Sequence, residues 1–274
     1  QGIKRGLTAV EAAILMEQPM DKVLTMILFS VIKKNAAEVI TREPLEIKVL
    51  EPLPESLRYY EKDFLKAFQL PKGAQRNKAM QEMVVGLIKG VSSAMKGFSR
   101  RETVEYYRDI MQRAWAQVEA ADTPEVKSQK YDEVMEWTML DRDYDRRTRD
   151  VFRTGPVFLP GWWGRYDPSF GRTPATRAGT PSAPTSQPAG GQISMPNLPG
   201  SAFAASVVGG VQNFASGVVG NITDFTSRIT TQTNPPPKPS ASSRSSRGGG
   251  GGGRSCACAC ACAGCACACA GGGR

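Results

Sequence analysis

The sequence predicts a mainly α-helical protein that begins with a winged-helix-like unit, continues as a helical domain and ends in a long disordered tail. Three observations predict this. Apolar residues recur at helical spacing through most of the first 170 positions. A short stretch near position 40 is rich in β-branched residues around a turn. From Gly171 onward, Gly, Pro, Ser, Thr and Ala dominate. We therefore expect four regions, 1–54, 55–170, 171–254 and 255–274.

The N-terminal unit is expected to contain two helices and a β-hairpin. Thr8 stands three residues before Glu11, the spacing of a capping box, so a first helix should follow it directly. A second helix is expected over 21–34, with an acidic residue at its positive end and two lysines at its negative end. The stretches 37–41 and 45–50 surround a turn and predict the hairpin.

A winged-helix shape raises the question of DNA binding, and the second helix argues against it. Base readout requires Arg, Asn, Gln or Lys side chains that project into a groove. This helix is instead apolar around almost its whole circumference, and its apolar residues are Val23, Leu24, Met26, Ile27, Leu28, Phe29, Val31 and Ile32. We expect it to be buried on most sides, which favours a structural or protein-contact role.

Helical periodicity continues through the second region. Helices are expected over 55–69, 75–95, 100–121 and 125–140. Ser99 with Glu102 repeats the capping-box spacing, and Thr123 followed by Pro124 puts a cap before a proline at the first helical position.

Two motifs near the end of this region have more than one interpretation. Asp141, Asp143 and Asp145 copy the first ligands of an EF-hand loop, but Arg146 and Phe152 occupy the glycine and glutamate positions. The acidic residues alternate with Arg142, Arg146, Arg147 and Arg149. This pattern favours a solvated ion-pair network over a calcium site.

The aromatic segment 155–170 is expected to wrap across the core as an extended strap. The alternative is that Trp162 and Trp163 lie at a membrane interface, which tryptophan favours.

Composition narrows the possible functions. The chain has no histidine, which removes Ser-His-Asp and Cys-His catalytic arrangements and HExxH metal sites, so we predict that the protein is not an enzyme. The net charge of +9 is concentrated in the tail from Gly171, and the first part is close to neutral. A basic arm attracts anionic surfaces in general, so nucleic acid stays an unfavoured partner. No apolar run is long enough to span a bilayer.

Two long runs and the tail carry a resemblance. The runs are LTAVEAAILMEQPMDKVLTMILFSVIKKNAAEVITREPLEIKVL at 7–50, continued by PLPESLRYYEKDFLKAF at 52–68, and AWAQVEAADTPEVKSQKYDEVMEWTMLDRDYDRRTRDVF at 114–152, and the tail is Gly-rich with a cysteine run near its end. They resemble the cytosolic C-terminal region of uncharacterised bacterial predicted membrane proteins. The resemblance implies a membrane-tethered parent protein whose transmembrane part lies upstream of Gln1, and it implies no catalytic residues.

Within the tail, the segment 203–229 has an amphipathic pattern. On a helical wheel eight of its large apolar residues fall within an arc of about 100°, and they are Phe203, Val207, Val211, Phe214, Val218, Ile222, Phe225 and Ile229. Its polar side contains glycines, which destabilise a helix by ~1 kcal/mol each, so the segment should fold only on contact. The surface that it contacts is either a membrane or an apolar groove on another protein or on the core itself. Accidental periodicity in a linker is the third interpretation.

All seven cysteines lie in the last region, after six glycines, at Cys256, Cys258, Cys260, Cys262, Cys265, Cys267 and Cys269. Thiolates without another type of ligand select soft ions such as Zn(II) or Cu(I), in a shared-sulfur cluster. Thiol modification or acylation, and no specific role, are the alternatives. Free thiols at this density indicate a reducing compartment.

These observations favour a non-enzymatic cytosolic interaction module at the cytoplasmic face of a membrane, with a membrane surface or a membrane protein as partner. The competing hypothesis is a nucleic-acid-binding regulator that responds to metal or redox state through the cysteines. A third hypothesis is an enzyme that uses acidic or thiol chemistry, for which the sequence shows no identifiable group of catalytic residues.

Overall fold

The computed structural model describes residues 2–42, 45–168, 198–199 and 221–235. These residues form a mainly helical structure with a two-stranded antiparallel hairpin near the N-terminus, as the sequence predicted. The helices are α1 (Ala9–Leu15), α2 (Met20–Lys33), α3 (Tyr59–Gln69), α4 (Ala74–Ala94), α5 (Arg100–Glu119), α6 (Pro124–Thr138), α7 (Tyr144–Val151), α8 (Trp163–Tyr166) and α9 (Ile222–Thr233). The strands are β1 (Ala37–Arg42), β2 (Leu45–Val49), β3 (Pro156–Val157) and β4 (Leu198–Pro199).

The capping box at the start of α1 is confirmed. The Glu11 backbone N–H donates to the Thr8 hydroxyl at 3.2 Å, and the Thr8 backbone N–H donates to the Glu11 carboxylate at 2.8 Å. These two bonds satisfy amide groups that have no partner within the helix. Thr8 therefore fixes the point at which the helix begins.

Helix α2 lies at the centre of the core. Eleven of its fourteen residues are buried, including Leu24, Ile27 and Leu28 at 0 % exposure. It contacts α1, α3, α8, α9 and β1, so neighbouring elements cover it from several directions. The prediction that this helix is buried on most sides is confirmed.

The hairpin follows α2 directly. Strands β1 and β2 pair antiparallel, with Val39 opposite Ile47, and the register shifts between Val39 and Thr41. The shift is a bulge at Ile40, whose side chain is 54 % exposed. The Leu50 N–H donates to the Ala36 carbonyl at 2.9 Å and continues the ladder beyond the two strands.

In the second region, α3 packs mainly against α4 and α5 packs mainly against α6. Their ends lie within two residues of the predicted ends, except that α3 begins at Tyr59 and not at Glu55. The residues before Tyr59 form a turn in which the Leu57 N–H faces the Pro54 carbonyl at 3.4 Å. Ser99 and Thr123 cap α5 and α6 as predicted.

The segment 155–168 crosses the core beside α2 and α6. Trp162 and Trp163 are 6 % and 1 % exposed, and their ring centroids lie 5.4 and 6.4 Å from that of Phe29. The Trp162 indole N–H donates to the Asp132 carboxylate at 2.7 Å. The described part of this segment lies against the core, as the strap interpretation expects, but it includes the short helix α8 and is not extended throughout. The interpretation of the two tryptophans as membrane-interface residues is wrong, because both rings are buried.

Among the residues that the structure describes, no helix combines the length and the apolar character that crossing a bilayer would require.

Candidate functional site

Helix α9 packs against the core through one side. It contacts α4 and α2. Phe225 and Ile229 are one helical turn apart, are 2 % and 0 % exposed, and belong to the same apolar cluster as α2. Thr223, Asp224 and Arg228 are exposed. Helix α9 is therefore amphipathic in the structure, and its apolar side lies on the core.

The local sequence explains why α9 begins where it does. The Asn221 side-chain oxygen accepts hydrogen bonds from the backbone N–H groups of Thr223 at 2.9 Å and of Asp224 at 3.2 Å. Asparagine is among the best N-cap residues, and Asp224 adds a negative charge to the first turn. The helix is thus capped by its own residues, and its attachment to the core depends on Phe225 and Ile229.

The structure describes only part of the predicted amphipathic face. The first residue of α9 is Ile222. The predicted residues Phe203, Val207, Val211, Phe214 and Val218 lie outside the described residues, as does most of the tail that was predicted to be disordered.

The seven cysteines also lie outside the described residues. Within the ranges that the structure covers, no group of three or more His, Cys, Asp or Glu side chains is arranged to hold a metal ion. The soft-metal site at Cys256, Cys258, Cys260, Cys262, Cys265, Cys267 and Cys269 therefore stays a prediction.

Two adjoining cavities lie between α2 and α6, with volumes of about 220 and 340 Å³. Met26, Ser30, Lys34 and Glu136 line both of them. The larger one extends to the first turn of α3, where Glu61 lies.

The Lys34–Glu61 ion pair is the most buried charged contact at these cavities. The Lys34 ammonium lies 2.7 Å from the first carboxylate oxygen of Glu61, and the two side chains are 28 % and 1 % exposed. Lys34 also donates to the Ser56 carbonyl at 3.2 Å. The second carboxylate oxygen of Glu61 is buried and has no hydrogen-bond partner. The nearby backbone N–H of Arg58 lowers the pKa of Glu61 and so favours its carboxylate form. Lys34 thus connects the end of α2 to α3.

Burial sets the protonation behaviour of this pair. Loss of solvation raises the pKa of Glu61, and the hydrogen bond and charge of Lys34 oppose that rise. A carboxyl group of this kind holds its proton at higher pH than an exposed one. One of its oxygens is occupied by Lys34 and the other is sealed from solvent, so the geometry fits a structural link better than a catalytic acid.

The sequence did not predict this pair, because its members are 27 positions apart. One signal was present: Glu61 lies on the side of α3 that also carries Phe64, Leu65 and Phe68, all of them buried. A carboxylate among core positions indicates a buried partner of opposite charge.

The acidic motif after α6 is an ion-pair network, as predicted. Arg147 donates to the Asp141 carboxylate at 2.9 Å and to Glu119 at 3.1 Å, and it stacks on the Trp115 ring at 4.8 Å. Arg146 pairs with Asp143 at 3.3 Å and with Asp150 at 3.6 Å.

One part of that prediction needs correction, since Asp141 is only 8 % exposed and is not solvated. Its backbone carbonyl accepts a hydrogen bond from the buried Lys22 ammonium at 2.7 Å. Burial lowers the pKa of Lys22, and the charges of Asp145 and Asp141 oppose this. The network joins α2 to the segment that precedes α7.

A scan against protein-family models, a search of curated proteins and a search of solved structures found no match for this chain.

Proposed function

We propose that this chain is a non-enzymatic interaction module of a membrane-associated protein, located at the cytoplasmic face of a membrane. In this function the core is a scaffold, α9 belongs to an arm that exchanges between the core and a membrane surface, and the tail takes up soft metal ions. The burial of Phe225 and Ile229 carries the proposal. It indicates that the apolar side of the arm seeks an apolar surface.

Among the described side chains of α9, the fully buried apolar ones are Phe225 and Ile229, and this small number supports reversible docking. Two fully buried apolar side chains contribute about 3 to 6 kcal/mol. The entropy lost in ordering a helix of twelve residues opposes this gain. Docking of α9 is therefore much weaker than the packing of α2, and a lipid surface that accepts the same two side chains competes with the core.

The N-terminal elements support a scaffold role. Helices α1 and α2 with the β1–β2 hairpin form, in this proposal, a winged-helix-like unit. Its second helix, α2, packs in the core, because Leu24, Ile27 and Leu28 are fully buried. A helix in that position has no surface with which to read a DNA groove. The unit therefore serves protein contacts.

The tail supplies the thiol groups of the chain. In a chain without histidine, the seven cysteines of residues 256–269 supply all of the thiolate ligands, and thiolates favour soft ions. Zn(II) and Cu(I) are the ions that we propose, and their binding would order the tail at that moment. The reducing compartment that keeps such thiols free agrees with the cytoplasmic location.

Vesicle flotation of the full chain tests the membrane role. We expect binding to phosphatidylcholine vesicles that survives high salt, because apolar insertion is screened little by ions. The double variant Phe225→Ser/Ile229→Ser should lose it. The matched control Ser227→Ala/Thr231→Ala changes two exposed residues of the same helix and should retain it. Equal binding by both variants would remove α9 from the membrane role.

Native mass spectrometry of the reduced full chain tests the metal role. We expect a mass increase with Zn(II) or Cu(I) that disappears when all seven cysteines are replaced by serine. If neither ion gives a cysteine-dependent increase, the metal role is wrong, and thiol modification becomes the better explanation of the tail.

A further inference from the structure

The N-terminal segment lies beside the turn that joins α4 to α5. The Ser99 N–H donates to the Gly2 carbonyl at 2.8 Å, and the Lys4 N–H donates to the Thr103 hydroxyl at 3.0 Å. The Lys4 ammonium lies 5.3 Å from the centre of the Phe98 ring. These contacts hold residues that are distant in sequence on one part of the surface.

This surface combines exposed apolar and basic side chains. Ile3 and Phe98 are 37 % and 41 % exposed, although both are large and apolar. Arg5, Lys96 and Arg101 are exposed around them, and Lys4 is half-buried. We call this surface the N-terminal patch, and it consists of Ile3, Lys4, Arg5, Lys96, Phe98 and Arg101.

The backbone of the patch is accessible, and its charge is positive. At Gly2 and at Gly97 an added Cβ atom would meet no described atom within 4 Å beyond the adjacent residues, so there is open space beside these two positions in the described part of the chain. Glu102 and Glu105, which are close to the patch in sequence, are exposed, and Glu17 pairs with Arg100 at 2.7 Å. Because Arg100 is engaged in this way, we leave it out of the patch.

We propose that the N-terminal patch is a docking surface for an anionic lipid bilayer. Basic side chains near such a surface each strengthen binding by attraction to anionic headgroups. Ile3 and Phe98 would enter the boundary between headgroups and acyl chains, where exposed apolar side chains are stabilised. Lysine and arginine beside them extend their charged ends toward the headgroups.

The same features disfavour nucleic acid as the partner. Phosphate contacts require donors, and the patch supplies them, but an isoleucine among those donors offers nothing to a phosphate backbone. A bilayer uses both kinds of side chain. The proposal goes beyond the arm and the tail, since it places a second, electrostatic membrane contact on the core.

Co-sedimentation of the full chain with vesicles tests this proposal. The vesicles contain phosphatidylcholine with or without phosphatidylserine. The variant Lys4→Glu/Arg5→Glu/Lys96→Glu should bind phosphatidylserine vesicles at least about tenfold more weakly at low salt. The control Lys62→Glu/Lys66→Glu/Lys89→Glu reverses three exposed lysines on α3 and α4. It has the same change in net charge and should bind within about twofold of the unchanged chain.

A second variant tests the apolar part. Phe98→Ser keeps every charge and should weaken binding by about threefold or more, through the loss of one inserted ring. Circular dichroism of each variant confirms that the fold is retained.

Three results would overturn the proposal. The first is equal loss in both charge-reversed variants, which would mean that net charge alone drives binding. The second is binding that does not depend on phosphatidylserine. The third is tighter binding to duplex DNA than to phosphatidylserine vesicles at the same salt. These results can be told apart from a failure of the proposed membrane role of α9. Binding through α9 should persist at high salt and should depend on Phe225 and Ile229, not on the N-terminal patch.

Discussion

Helices α2 and α9 bury side chains in the same apolar cluster, but they are held there in different ways. Eleven residues of α2 are buried, and Lys22 and Lys34 tie the helix to other segments by hydrogen bonds. Helix α9 reaches the cluster through Phe225 and Ile229. Full burial of a residue therefore does not measure how firmly its helix is attached. The attachment depends on how many side chains of the helix are buried or hydrogen-bonded, and on the free energy needed to separate the helix from the core.

The largest expected effect comes from making the same substitution in both helices. Ile27 and Ile229 are each 0 % exposed, so the transferred area is similar. Ile27→Ala should lower the free energy of unfolding by about 3 to 4 kcal/mol, because α2 cannot leave and a cavity remains. Ile229→Ala should lower it by less than about 1 kcal/mol, because α9 can undock and the loss cannot exceed the docking free energy.

Urea unfolding measures both changes, and hydrogen exchange locates them. In Ile229→Ala, we expect amide protection to fall in 222–233 and to stay unchanged in α2. Equal losses of stability in the two variants would show that α9 is an obligatory part of the core.

The next effect tests the charged anchor at the end of α2. Lys34→Met leaves the Glu61 carboxylate buried without its partner and should destabilise the protein by about 2 to 3 kcal/mol at pH 7. Burial already raises the pKa of Glu61, so the folded state holds this proton more tightly than the unfolded state. The protonated Glu61 carboxyl group therefore contributes to the stability of the folded state. This contribution is fully present below the ordinary pKa of 4.5 and is lost as pH rises through the pKa of Glu61 in the folded protein.

The loss in Lys34→Met should therefore shrink as pH falls toward 4.5. Glu61→Gln is the matched variant, because it removes the charge and keeps the shape. Its stability relative to the unchanged chain should rise with pH above 4.5, because the variant avoids a buried charge. Denaturation midpoints over a pH series measure both trends, and a Lys34→Met loss that is constant with pH would contradict them.

The elements that were predicted well have local causes. Thr8 and Glu11 are three residues apart, so their capping box can be read from the sequence, and the strap was recognisable from its aromatic residues. Helix α7 was missed because it buries only Tyr144 and Thr148 fully and has Val151 as its one other apolar residue. Such a helix has too few apolar positions for its period to be detected.

For the candidate site as well, the sequence predicted the local features and missed those that depend on packing. The phase of Phe225 and Ile229 could be read from the sequence, but the surface that covers them could not, because the pattern fits lipid and protein equally. The structure places them on the core. The Lys34–Glu61 pair depends on how α2 and α3 pack, and no local pattern encodes that arrangement.

The side chain that caps α9 should have a smaller effect than the substitutions above. The Asn221 side chain accepts hydrogen bonds from the N–H groups of Thr223 and Asp224, so Asn221→Ala should cost the helix about 1 kcal/mol. Thr8→Ala removes the corresponding acceptor from α1, which is buried in the core. If α9 folds only while it is docked, as we propose, the Asn221 cost should appear as faster hydrogen exchange in 222–233 and leave the urea midpoint unchanged. The Thr8 cost should appear in the midpoint, and a lower midpoint in both variants would mean that α9 unfolds together with the core.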